Sequence, residues 1–69
     1  MDRQISLVGA RTSAGLTQQE LADKLGVSRR MIIDWESGKR EMRPAYLYAI
    51  CQITGFSVND IFLPFASTK

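Results

Sequence analysis

Apolar residues in this chain come in short bursts at helical spacing, separated by glycines and small polar residues. Leu7, Ala10, Arg11 and Ala14 share one face of a first helix, with Ser6 as N-cap and Gly15 as terminator. Leu21, Ala22 and Leu25 make the apolar face of a second, which opens on Thr17 and closes on Gly26. Thr17 and Glu20 have capping-box spacing, in which each side chain takes a backbone N–H of the other. A third helix follows the cap Ser28, places Met31, Ile32 and Trp35 on one side, and stops at Gly38. Pro44 starts a fourth, with Leu47, Ile50 and Cys51 at core spacing and Gly55 as its stop; Ser57 caps a short fifth. The pattern therefore predicts an all-α chain with helices at about 6–14, 17–25, 28–37, 44–54 and 57–62, and a frayed tail over 66–69.

The second and third helices are separated by a turn of only three or four residues containing Gly26. On the third, Arg29, Arg30, Ile33, Asp34 and Ser37 lie opposite the packing face. Two helices joined by a short glycine turn, the second with a polar outer face, form the helix-turn-helix layout. A plain helical hairpin would share the caps and apolar faces.

The run Thr17-Gln18-x-Glu20-Leu21-Ala22-x-Lys24-Leu25-Gly26-Val27-Ser28, followed by Ile32, Trp35-Glu36 and Gly38, resembles the helix-turn-helix domain of the Cro and phage-repressor type, the XRE family. The resemblance extends from about Ile5 to Leu63. It implies a compact five-helix, lambda-repressor-like domain in a bacterial or phage cytoplasm, with the second and third helices bound to DNA. It also implies a structural ion pair between Arg11 and Glu36. The residues lead to the same pair independently, because Arg11 puts a cation on a face that must pack and a buried cation needs a partner.

Sixty-nine residues suit one domain with a modest core, which dimerisation would enlarge. With 45% hydrophobic and 23% charged residues, the composition is globular. No apolar run approaches a membrane span, and MDRQIS lacks the apolar core of a secretory signal. Cys51 is the sole cysteine and histidine is absent, so neither an internal disulfide nor a zinc site is expected. No activated nucleophile, phosphate-cradling glycine loop or close carboxylate pair suggests an enzyme, a cofactor or a small-molecule ligand. The net charge of +2 decides nothing about nucleic acid. Five of the nine cations, Arg29, Arg30, Lys39, Arg40 and Arg43, do fall around the third helix, but Asp34, Glu36 and Glu41 lie among them.

On this reading, Arg29, Arg30, Ile33 and Asp34 face DNA bases. A guanidinium fork matches guanine O6 and N7, and Ile33 suits a thymine methyl. Asp34 either accepts from cytosine or orients Arg30 four residues before it, and the orienting role is favoured because phosphates repel a carboxylate. Gln18, facing outward at a helix N-terminus, Ser28, and Lys39, Arg40 and Arg43 are the expected phosphate contacts. Phe62, Leu63, Pro64 and Phe65 are more apolar than a solvated end requires and are the expected dimer surface. The expected partner is an operator in double-stranded DNA, bound by a homodimer, as by a small Cro-like repressor. An antitoxin-type regulator and an interaction module that has lost DNA binding, using Met31, Ile33 and the apolar tail, are the competing readings.

Overall fold

In the computed structural model, residues 4–62 are described. Four α-helices follow a short strand: β1 (Ile5–Ser6), α1 (Leu7–Ser13), α2 (Gln18–Leu25), α3 (Arg29–Ser37) and α4 (Pro44–Thr54). A 3-10 turn, Val58–Asp60, then leads into a second strand, β2 (Ile61–Phe62). The all-α class stands, with one correction. The fifth helix expected over 57–62 is a single 3-10 turn followed by extended chain. Val58, Asn59 and Asp60 are poor helix formers. Ile61 is drawn into the core beside Ile5, and parallel pairing of Ile5 with Ile61 and Ser6 with Phe62 extends the backbone there.

The caps expected for the first three helices form, whereas the Ser57 hydroxyl donates to Asp60 Oδ2 at 3.0 Å and accepts no backbone N–H. Ser6 Oγ accepts from Gly9 N–H at 3.0 Å and Ser28 Oγ from Met31 N–H at 3.2 Å. Thr17 and Glu20 close their box at 3.0 and 2.8 Å. Thr54, a polar residue facing the packed side of α4, donates to Ile50 C=O at 2.8 Å and so satisfies its hydroxyl within the helix. Each cap supplies a partner for a backbone group that the helix end leaves unpaired.

The core gathers one or two residues from each of the four helices, with Met42 of the α3–α4 loop and Ile61 of β2. Leu7, Leu21, Ile32, Trp35 and Ile50 are almost wholly buried, with Ala10, Ala22, Met42 and Ile61 around them. Trp35 of α3 meets Tyr46 of α4 with ring centroids 5.0 Å apart and planes tilted by 47°, a favourable aromatic arrangement. Ala14, expected on the inner face, is exposed at the C-cap of α1. Cys51 is half-buried; burial and then the charge of Asp60 push its thiol above the ordinary value, which keeps thiolate scarce at neutral pH.

Arg11 binds the helices to one another. Its side chain is only 11% exposed, and that of Glu36 only 6%. Nε donates to Glu36 Oε2 at 2.6 Å, Nη2 lies 3.4 Å from Oε1, and Nη1 donates to Leu16 C=O at 2.9 Å. One guanidinium thereby joins α1, the α1–α2 loop and α3. Among the described residues, no helix is long and apolar enough to cross a membrane, and no three His, Cys, Asp or Glu side chains gather as metal ligands.

Removing one member of a buried pair strands the other's charge. Glu36→Ala should lower unfolding free energy by about 3–5 kcal/mol in urea melts, and Arg11→Met with Glu36→Leu should recover most of that loss. An unchanged melt for Glu36→Ala would remove the pair from the account. The glycines offer a second check. At Gly26, φ is +75° and an added Cβ meets nothing within 4 Å, so Gly26→Ala should lose only the backbone term, about 1–2 kcal/mol. At Gly9 the added Cβ would lie 2.6 Å from Ile5 Cγ1. Gly9→Ala should therefore destabilise despite alanine's advantage of about 1 kcal/mol within a helix.

Candidate nucleic-acid interface

Gly26, Val27 and Ser28 connect α2 to α3. Gly26 takes the left-handed conformation that reverses the chain. Val27 N–H donates to Ala22 C=O at 3.0 Å while its side chain packs on the core. With Ile32 and Trp35 buried beneath it, α3 presents the opposite side outward. Arg29 and Arg30 stand exposed in its first turn, where Ser28 caps the backbone. Arg30 reaches toward solvent with 70% of its side chain exposed.

Asp34 is held between two arginines. Arg30 Nε lies 3.4 Å from Oδ1 and Arg40 Nε lies 4.0 Å from Oδ2. The first approach is an ion pair without hydrogen-bond alignment, so Oδ1, shielded from water, has a charge beside it but no proton donor. This geometry matches the orienting arrangement considered for Asp34. The link to Arg40 across the α3–α4 loop had no signal in local spacing. Ile33 and Met31 are half-buried, and Met31 packs against the core. Ile33 is not part of the core, so of these two residues only Met31 is lost to a reading that needs outward apolar contacts.

Gln18 departs from its expected orientation. Its side chain is half-buried, and its amide donates to Glu36 Oε1 at 3.0 Å. Arg11 holds Oε1 of Glu36 only at 3.4 Å, so that oxygen can accept a second bond, and α2 begins within reach of it. Gln18 thus links the start of α2 to α3 instead of projecting into solvent. Ser28 Oγ is likewise occupied by its cap, with a hydroxyl proton still to donate.

Lys39, Arg40 and Arg43 are exposed along the loop, with Arg43 at the N-cap of α4. Among the carboxylates interspersed with the cations of this region, Glu36 points inward and Asp34 is mostly covered, which leaves Glu41 as the exposed one. Folding therefore converts a charge-mixed stretch of sequence into a predominantly positive surface. Behind the loop lies a cleft of about 290 Å³, lined by Met31, Trp35, Arg40, Glu41, Arg43 and Tyr46. The expected dimer residues Leu63, Pro64 and Phe65 lie outside the described residues, as does the side chain of Phe62.

Comparison with known proteins matches this geometry to a family model described as helix-turn-helix, over residues 10–61. An uncharacterised helix-turn-helix-type transcriptional regulator of Methanocaldococcus jannaschii is 44% identical over 48 residues, covering 70% of this chain and 73% of the relative. Two regulators of Archaeoglobus fulgidus with the same description are 36% and 34% identical over 53 residues, each covering 77% of this chain and about three quarters of the relative. These relatives are archaeal, whereas the resemblance had implied a bacterial or phage setting. No solved structure matches the chain. From the residues matched and the turn geometry together, the chain belongs to the XRE-type helix-turn-helix family of transcriptional regulators, a class of regulator and not of enzyme.

Proposed function

We propose that this protein is a sequence-specific repressor that lays α3 in the major groove of an operator and binds as a dimer, in the manner of a small Cro-like regulator. The observation that carries the reading is the capped, arginine-bearing start of α3 standing clear of the core, flanked by Lys39, Arg40 and Arg43, with the nearby carboxylates covered.

In this reading Arg30 forks to the O6 and N7 of a guanine, a contact worth about 1–3 kcal/mol of discrimination. Asp34 holds that guanidinium near the helix until a base replaces it. Arg29, at the edge of the groove, reads a base or binds a phosphate. Ile33 is the apolar contact. Lys39, Arg40 and Arg43 hold the backbone. The N-terminus of α2 adds a phosphate contact through its free N–H groups, with Gln18 contributing only if its amide swings away from Glu36. Such a small reading surface gains useful specificity from two copies on half-sites about 34 Å apart. Phe62, Leu63, Pro64 and Phe65 are the proposed contact between the copies.

Affinity for random-sequence duplex should fall steeply with salt, because each cation-phosphate contact releases counterions. Selection from the random pool should enrich a two-fold symmetric site. Arg30→Ala should lose preference at one base pair per half-site by roughly 5- to 150-fold. Lys39→Ala should weaken all sequences alike and lower the salt slope by about one. Asp34→Asn should raise affinity for random duplex while narrowing the gap to the selected site. Failure to bind duplex at low salt, with a protein partner co-purifying instead, would favour the interaction-module reading. Operator binding together with a co-purifying toxin would identify an antitoxin-type regulator.

A further inference from the structure

We propose that Asp34 is a counter-ion shared by Arg30 and Arg40, so that one of these arginines engages DNA at a time. Arg40 holds a phosphate while the chain rests on arbitrary sequence, and it returns to Asp34 when Arg30 takes a guanine. The exchange rests on the DNA reading above and refines the place of Arg40 in it.

Asp34 meets the two arginines on different oxygens. Arg30 Nε lies 3.4 Å from Oδ1, and Arg40 Nε lies 4.0 Å from Oδ2. The three side chains differ in freedom. That of Asp34 is 15% exposed, on a helix whose neighbouring Trp35 is buried, whereas those of Arg30 and Arg40 are 70% and 54% exposed. The cations can swing away and the anion cannot follow. Oδ1 is shielded from water and accepts no hydrogen bond, so charge alone compensates it. A covered carboxylate stripped of every cation is strongly disfavoured, and nearby phosphates add repulsion. One arginine can therefore leave while the other stays.

The duplex decides which one leaves. Arg30, in the first turn of α3, needs a base edge with two acceptors, and only some sequences offer it there. Arg40, on the loop, needs a phosphate, which every step offers. Neither pair with Asp34 is strong enough to resist, since exposed ion pairs contribute little. On arbitrary sequence Arg40 departs. At a guanine in register Arg30 departs, and Arg40 closes on Asp34.

The number of phosphates engaged is read from the dependence of log affinity on log salt, whose slope changes by about 0.9 for each contact. Slopes are measured for the full chain on random-sequence duplex and on the duplex enriched from that pool, with each variant checked for an unchanged melt. Arg40→Gln should lower the slope on random duplex by about 0.9 per bound chain and leave it unchanged on the enriched duplex. Affinity should fall on both, because at the enriched site Arg30 then leaves Asp34 uncompensated. Lys39→Ala, which removes a cation that is not paired with Asp34, should lower both slopes. In an Asp34→Asn background neither arginine is held, and Arg40→Gln should lower the slope on both duplexes. In an Arg30→Ala background Asp34 keeps Arg40 on every sequence, and Arg40→Gln should alter neither slope.

An equal loss of slope on both duplexes from Arg40→Gln, or the same effect in all three backgrounds, overturns the exchange and makes Arg40 an ordinary phosphate contact. No loss on either duplex overturns it too, and removes Arg40 from the DNA surface. Both outcomes leave the DNA reading standing. Absence of salt-dependent binding to duplex, or of any enriched site, overturns that reading, and the exchange falls with it.

Discussion

One largely buried guanidinium holds the orientation of the outward-facing helix. Arg11 is paired through Nε with Glu36 at 2.6 Å and bound to Leu16 C=O at 2.9 Å, while Gln18 takes the other oxygen of the same carboxylate at 3.0 Å. Side chains from α1 and α2 therefore meet on Glu36 of α3. A buried pair of this kind is weak evidence for net stability, since desolvation offsets much of the attraction. Its value lies in geometry. Hydrophobic packing between Ile32, Trp35 and the surrounding side chains would tolerate some rotation of α3, because dispersion and burial are not directional. A guanidinium fork on a carboxylate is directional, and it fixes which residues of α3 point outward.

That orientation sets the electrostatics. Turning Glu36 inward removes one carboxylate from the surface, and the flanking arginines largely cover Asp34. What remains outward is positive, with Glu41 the exposed exception near the loop. The same covering keeps Arg30 in check. Its contact with Asp34 is an exposed i, i+4 pair of 3.4 Å, a class worth at most about 1 kcal/mol, so a stronger acceptor can displace it. α3 is thus closely packed on its inner side and loosely paired on its outer side, an arrangement that suits the proposed contact with DNA.

Much of this was legible in the chain. Thr17 with Glu20, Ser28, Gly26 and Gly38 mark helix ends by local chemistry, and local chemistry survives folding. Arg11 opposite Glu36 could be inferred because a cation on a packing face must find a partner. The features that were not legible depend on distance in space. Gln18 was expected to face solvent because its own helix offers it nothing; its acceptor belongs to α3 and was already allotted to Arg11. The pairing of Ile5 with Ile61 joins two strands of two residues each, too short for any alternation to show. The cleft is assembled from α3, the loop and α4, and its two walls meet only when Tyr46 closes on Trp35.

The most direct test of the central claim, that this packing makes the outer side of α3 and its adjoining loop the DNA-facing surface, is a map of backbone amide shifts as random-sequence duplex is added. The largest changes should fall at Arg29, Arg30 and Ile33, at the start of α2 and along 39–43, with little change at Tyr48 or Val8 on the exposed sides of α4 and α1. Shifts centred on Tyr48 and Val8, with α3 undisturbed, would contradict it.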